Sequence, residues 1–174
     1  MGEFIDGELG LLHFTSAVLA MLSGAIVLAS TKGTNLHKKV GYVYFVSMLV
    51  LNITAIPITN MSGSIGVFHI FILFSLPTTL IALYHPLFGR HKPSWLLQHF
   101  TFMYWSYVGL IAAFIAEMMV RLPALIFTKS KGIKDADSEL GLAGIVAFSI
   151  LGGVMFFAEL GYRKWRKQFT HPNK

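Results

Sequence analysis

The chain has 174 residues, of which 55% are hydrophobic and 13% charged, about half the charged share of an ordinary soluble domain. The absence of cysteine excludes disulfides, thiolate metal sites, iron–sulfur clusters and cysteine nucleophiles. The net charge of +6 lies in short clusters between long apolar blocks, a pattern that fits anionic headgroups and excludes a nucleic-acid surface.

These features predict an all-α, multi-pass transmembrane helical bundle of five membrane helices, forming a single membrane domain over residues 1–174. The N-terminal flank carries Glu3, Asp6 and Glu8 and no Lys or Arg. It lacks the basic region of a signal peptide, so the first apolar segment is expected to be retained. That segment, 10–30, contains no charged residue and at 1.5 Å per residue spans about 30 Å, the thickness of the hydrocarbon core. A polar turn follows, with Asn35 expected as the N-cap of the next helix.

The second segment, 40–59, is rich in β-branched residues. Lipid tolerates no unpaired strand edge, so it is read as helix, with Pro57 accommodated near its end. The third, 67–87, carries Pro77 in its middle, where loss of a backbone hydrogen bond is expected to kink the helix. The fourth, 96–120, completes a four-helix core over 10–120. An outer link at 121–139 leads to a fifth helix at 140–162 and a basic cytoplasmic tail at 163–174.

Charge sets the expected orientation. Lys32, Lys38, Lys39, Arg90, Lys92, Arg163, Lys164, Arg166, Lys167 and Lys174 fall on one side, and Arg121, Lys129, Lys131 and Lys134 on the other. The positive-inside rule then puts the N-terminus outside the cell membrane and the C-terminus in the cytoplasm.

Seven histidines are spread over the chain. With alternating spans, His13 and His69 share a depth near the outer face, and His37 and His99 share one near the inner face. Ionisable groups inside a membrane need a partner or a function. Each histidine taken singly reads first as an interfacial or packing residue, and the functional reading comes from their joint arrangement. At 100° per residue, Ala17, Ala20 and Gly24 share the His13 face. His37 shares its face with Gly41, Tyr44, Met48 and Asn52, and His99 shares its face with Met103, Ser106 and Leu110. These faces suit either helix packing or a flat ligand. Glu117 lies five turns from His99 on one face. It is placed to pair with Arg121 at i+4 or to join His13 and His69 in an outer metal site. No phosphate loop, HExxH or GxSxG pattern is present.

His13, Gly24, the link carrying Gly33, Thr34, His37 and Gly41, the pair Phe68–His69, and His99 together resemble DUF2306, a family of small predicted bacterial membrane proteins. The resemblance covers residues 10–120 and implies a membrane bundle without implying an activity. The order of histidines on successive helices is more distantly similar to two-haem membrane cytochromes of the b561 type, in which histidines on alternate helices hold one haem near each face.

Three functions remain open on the sequence. The first is a redox or electron-transfer protein holding haem b through His13, His37, His69 and His99, with a membrane-bound or soluble redox partner. The second is a protein that binds or transports zinc or copper through His13, His69 and Glu117. The third is a non-catalytic membrane subunit or assembly factor without a cofactor. In all three the lipid bilayer is a partner.

Overall fold

The computed structural model describes residues 7–58, 67–127 and 136–170, with side chains over 7–58, 71–119 and 149–169. They form α1 (Gly7–Ala29), α2 (Asn35–Ala55), α3 (Val67–Phe88), α4 (Trp95–Phe127) and α5 (Ala136–Thr170). The chain is therefore all-α, but the expectation of five membrane spans is overturned. Among the described residues, three helices are long and apolar enough to cross: Gly7–Ala29, Phe71–Phe88 and Trp95–Met119.

The reasons are local. In α2, Lys38 and Lys39 occupy the first turns, and the helix ends at Ala55: Ile56 keeps helical angles and its N–H turns to the Ile53 carbonyl, while Pro57, next in the chain, has no N–H with which to continue the ladder. The uncharged stretch 40–55 is about 24 Å long at 1.5 Å per residue, short of the ~30 Å core. In α5 the described side chains include Glu159, Arg163, Lys164, Arg166 and Lys167. The segment expected as a tail from 163 is helical as far as Thr170, and α4 likewise runs to Phe127, into the expected outer link. Through Pro77 and Pro86, α3 remains one helix.

The link between α1 and α2 shows how sequence sets the geometry. Lys32 Nζ donates to the Val27 and Leu28 carbonyls at 2.9 and 2.7 Å, closing the C-terminus of α1 with the charge its dipole favours. Gly33 turns the chain at φ +80°, a conformation that a side chain would strain. Thr34 is the N-cap, not Asn35: its hydroxyl accepts from the His37 N–H at 3.2 Å.

The helices close a ring. α1 packs along α2 and α3 along α4, while α2 meets α3 and α1 meets α4. Among the described residues neither diagonal pair, α1 with α3 or α2 with α4, has close backbone contact, and α5 packs on α4 alone. Large apolar side chains such as Leu22, Leu73, Phe74 and Phe157 face outward, while Ser16, Ser23, Ser47, Asn52, Thr54, Thr79 and Ser106 are buried. This inside-out distribution suits lipid, where small and polar residues join helices.

At mid-bundle the diagonal is bridged by side chains. Thr79 donates to the Ser75 carbonyl at 2.8 Å, so its oxygen accepts from Ser106 at 2.9 Å, and Ser106 in turn accepts from Tyr44 at 2.8 Å. Each hydroxyl has one hydrogen, which fixes the direction of the chain. Gly24 of α1 makes room for it: a Cβ there would overlap the Tyr107 ring and come within 2.9 Å of Tyr44.

Candidate functional site

At the end of the bundle where α1 and α3 finish and α2 and α4 begin, His37 and His99 face each other across the α2–α4 diagonal. Their ring centres are 6.4 Å apart and their planes 84° apart. His37 sits in the first turn of α2 behind the Thr34 cap. His99 sits one turn into α4, where the α3 backbone reaches it.

Hydrogen bonds fix the tautomer of both rings when neutral. His99 Nδ1 lies 2.7 Å from the Ala82 carbonyl, which can only accept, so Nδ1 carries the hydrogen and Nε2 the lone pair. Ser30 gives its hydroxyl hydrogen to the Val27 carbonyl at 3.0 Å and therefore accepts from His37 Nδ1 at 3.2 Å, leaving the lone pair on Nε2 here as well. Burial first, and the Lys32 charge second, hold the His37 imidazole below the usual histidine range, so it is neutral at pH 7. A neutral imidazole whose Nδ1–H is held by an oxygen is the form that ligates a metal through Nε2.

The two rings border a cavity of about 200 Å³ whose apolar walls include Phe45, Leu83, Leu87, Leu96, Phe100 and Met103. Gly41, one turn from His37, also lines it, and a Cβ at that position would meet nothing within 4 Å. Lys32, Lys38 and Arg90 stand among the lining residues. α5 seals the α4 side through stacked rings, with Phe100–Phe169 centres at 4.5 Å and Phe100–Tyr162 at 6.0 Å.

The other expected residues fare differently. His13 is half-buried, with Nδ1 3.1 Å from Thr54 Oγ1. Thr54 gives its own hydrogen to the Val50 carbonyl, so His13 is the donor. His69 lies in the first turn of α3 and its side chain is outside the described residues, as is Arg121 of α4. Neither a His13–His69 pair nor a Glu117–Arg121 pair can therefore be described. Glu117 is half-buried in α4. Among the described residues no group of three His, Cys, Asp or Glu side chains is gathered to hold a metal ion.

His85, near the basic link that carries Arg90 and Lys92, is only 6% exposed. It stacks on Phe102 with ring centres 6.0 Å apart, and its Nδ1 has no hydrogen-bond partner. The signal for it was its spacing: Ala82, which receives His99, is three residues before it on the same helical face.

The fold and this site define a multi-pass helical membrane protein with a polar interior and a paired-histidine cavity at its basic end. The chain belongs to the DUF2306 family, described as predicted membrane proteins, whose model matches residues 10–158. The match passes the expected limit at 120 and takes in most of α5. No curated protein and no solved structure matches the chain.

Proposed function

We propose that this protein binds haem b between His37 and His99 and serves in membrane electron transfer. The observation that carries the reading is the pair of imidazoles, each with its Nδ1 engaged by an oxygen, with ring centres 6.4 Å apart across the diagonal. Two imidazoles on opposite sides of one metal ion, with bonds of about 2 Å each, have ring centres roughly 6 Å apart.

The surroundings agree in chemistry. The walls are apolar, cations stand beside them, and Gly41 leaves clearance next to His37. The cavity volume of about 200 Å³ is below the 300–1,000 Å³ of ordinary ligand pockets, so the cavity would have to widen to take a macrocycle. Bound in this way, haem b supplies a one-electron couple. The chain's part is to orient the rings through Ser30 and the Ala82 carbonyl, to raise their basicity through those bonds, and to exclude water with apolar walls. A zinc or copper site at His13, His69 and Glu117 rests on residue type and depth alone, and no further observation favours it.

The same reading sets the basic end at the cytoplasmic face, with the N-terminus outside, in line with the positive-inside rule. The lack of native cysteine makes this testable with a single Lys92→Cys reporter, which should label only from the cytoplasmic side. For the haem itself, haemin titrated into the detergent-purified protein should give a saturable, six-coordinate low-spin spectrum. His37→Ala and His99→Ala should lose it and His13→Ala should keep it. Unchanged spectra in His37→Ala and His99→Ala would remove the reading.

A further inference from the structure

The cavity has a second chemical feature, which rests on the haem reading and narrows it. Lys32, Lys38 and Arg90 line it, and among the described residues none of the three has a carboxylate partner. Lys32 is held in place by the Val27 and Leu28 carbonyls. Arg90 is held by its Nε bond to the Pro86 carbonyl at 2.6 Å and by the Trp95 ring 5.8 Å from its Cζ, leaving its two terminal nitrogens without a bond among the described residues. Both cations are thus fixed by backbone and ring contacts rather than by counter-ions.

Helix ends at this face offset one another, because α2 and α4 begin there while α1 and α3 finish there, so the positive charge of the rim comes from the side chains. Burial lowers the Lys32 ammonium below the usual lysine range, as expected of a cation lacking a compensating anion. The walls beside these groups are Leu83, Leu87, Leu96 and Phe45, so the complement of the site is an apolar body carrying acid at one edge.

We propose that Lys38 and Arg90, backed by Lys32, form a carboxylate-recognition rim, so that the His37–His99 cavity takes a ligand with its acidic edge at the rim and selects a diacid porphyrin over its neutral ester. A surface that merely met lipid would show no such preference among porphyrins, because its counter-ion would be a lipid phosphate.

The test compares haem b with its dimethyl ester, titrated by absorption into the detergent-purified wild type and into a Lys38→Gln/Arg90→Gln variant. The wild type should bind the diacid at least about tenfold more tightly, a difference of 1.4 kcal/mol. The variant should lose most of that preference while still binding the ester with the wild-type line shape. Equal affinity of the wild type for acid and ester would overturn the rim and leave the haem reading standing. A wild type that binds neither would remove the haem reading and the rim with it. Selective retention of phosphatidylglycerol over phosphatidylcholine by that protein would then assign the cations to a lipid phosphate. Should the double variant fail to fold, the acid-to-ester ratio in the wild type still decides the matter.

Discussion

At the level of Tyr44 the bundle is closed, and about two turns nearer the basic end, between His37 and His99, it is open. The two layers use the same helices. In the closed layer Tyr44, Ser106 and Thr79 form a one-way chain that ends on the Ser75 carbonyl, and Tyr44, Thr79 and Ser106 are at most 1% exposed. In the open layer the polar groups are also bonded, but only through Nδ1: among the described residues no hydrogen bond reaches Nε2 of His37 or His99. Polar side chains in this bundle thus act as glue where their hydrogens are matched, and where only one ring nitrogen is matched they fix the direction of the other.

The comparison can be broken most strongly by filling the open layer. Gly41→Leu puts a side chain where a Cβ meets nothing within 4 Å. Haemin affinity should fall at least about tenfold, with the thermal midpoint of the unliganded protein unchanged. Equal haemin affinity would show that this cavity is not where haem binds. In the closed layer the outcome should reverse. Gly24→Ala overlaps the Tyr107 ring and crowds Tyr44, costing about 1–3 kcal/mol as overpacking does, and should lower the thermal midpoint while the spectrum of bound haem keeps its line shape. An undisturbed midpoint would mean that α1 is not seated on these two rings.

Smaller effects sharpen the picture. Ser106→Ala removes two links and strands the buried Tyr44 hydroxyl, at a cost of about 1–3 kcal/mol. Tyr44→Phe removes one link and leaves Ser106 bonded to Thr79, at about 0.5–1.5 kcal/mol. Thermal unfolding of the two variants should rank them in that order; the opposite rank would contradict Ser106 as the middle member of the hydroxyl chain. The smallest effect is in pH. The pKa of His37 is depressed in the folded protein, by burial and then by Lys32. The unfolded chain therefore takes up this proton first. The associated stability is complete above about pH 6.5 and is lost as pH falls from there toward the lowered folded value. In Lys32→Gln the folded value rises toward the unfolded one and the window narrows. Midpoints measured between pH 5 and 7.5 that rise on acidification would reverse the sign.

Alternation of helix direction, combined with residue depth, was enough to pair His37 with His99. A square arrangement, with α2 and α4 on a diagonal, follows from short links between antiparallel neighbours. Gly24 was legible as a close-approach position. The number of spans was not, because Lys38, Lys39 and Pro57 each take a little from α2, and hydrophobicity summed over a longer window hides losses at both ends. Tyr44 and Ser106 were placed on the His37 and His99 faces, but a bond between residues 62 apart in sequence depends on helix rotation, which periodicity does not fix. His85 escaped because a histidine beside a basic link reads as hydrated, and its burial comes from Phe102 on another helix.

The central claim is that His37 and His99 jointly ligate one haem. The most direct test is the dithionite-reduced minus oxidised spectrum of the protein purified from haem-replete cells, recorded for the wild type, His37→Ala and His99→Ala at equal folded concentration. The account predicts sharp low-spin b-type bands in the wild type and their loss in both variants. A wild type that is folded and colourless, or bands that persist in either variant, would contradict it.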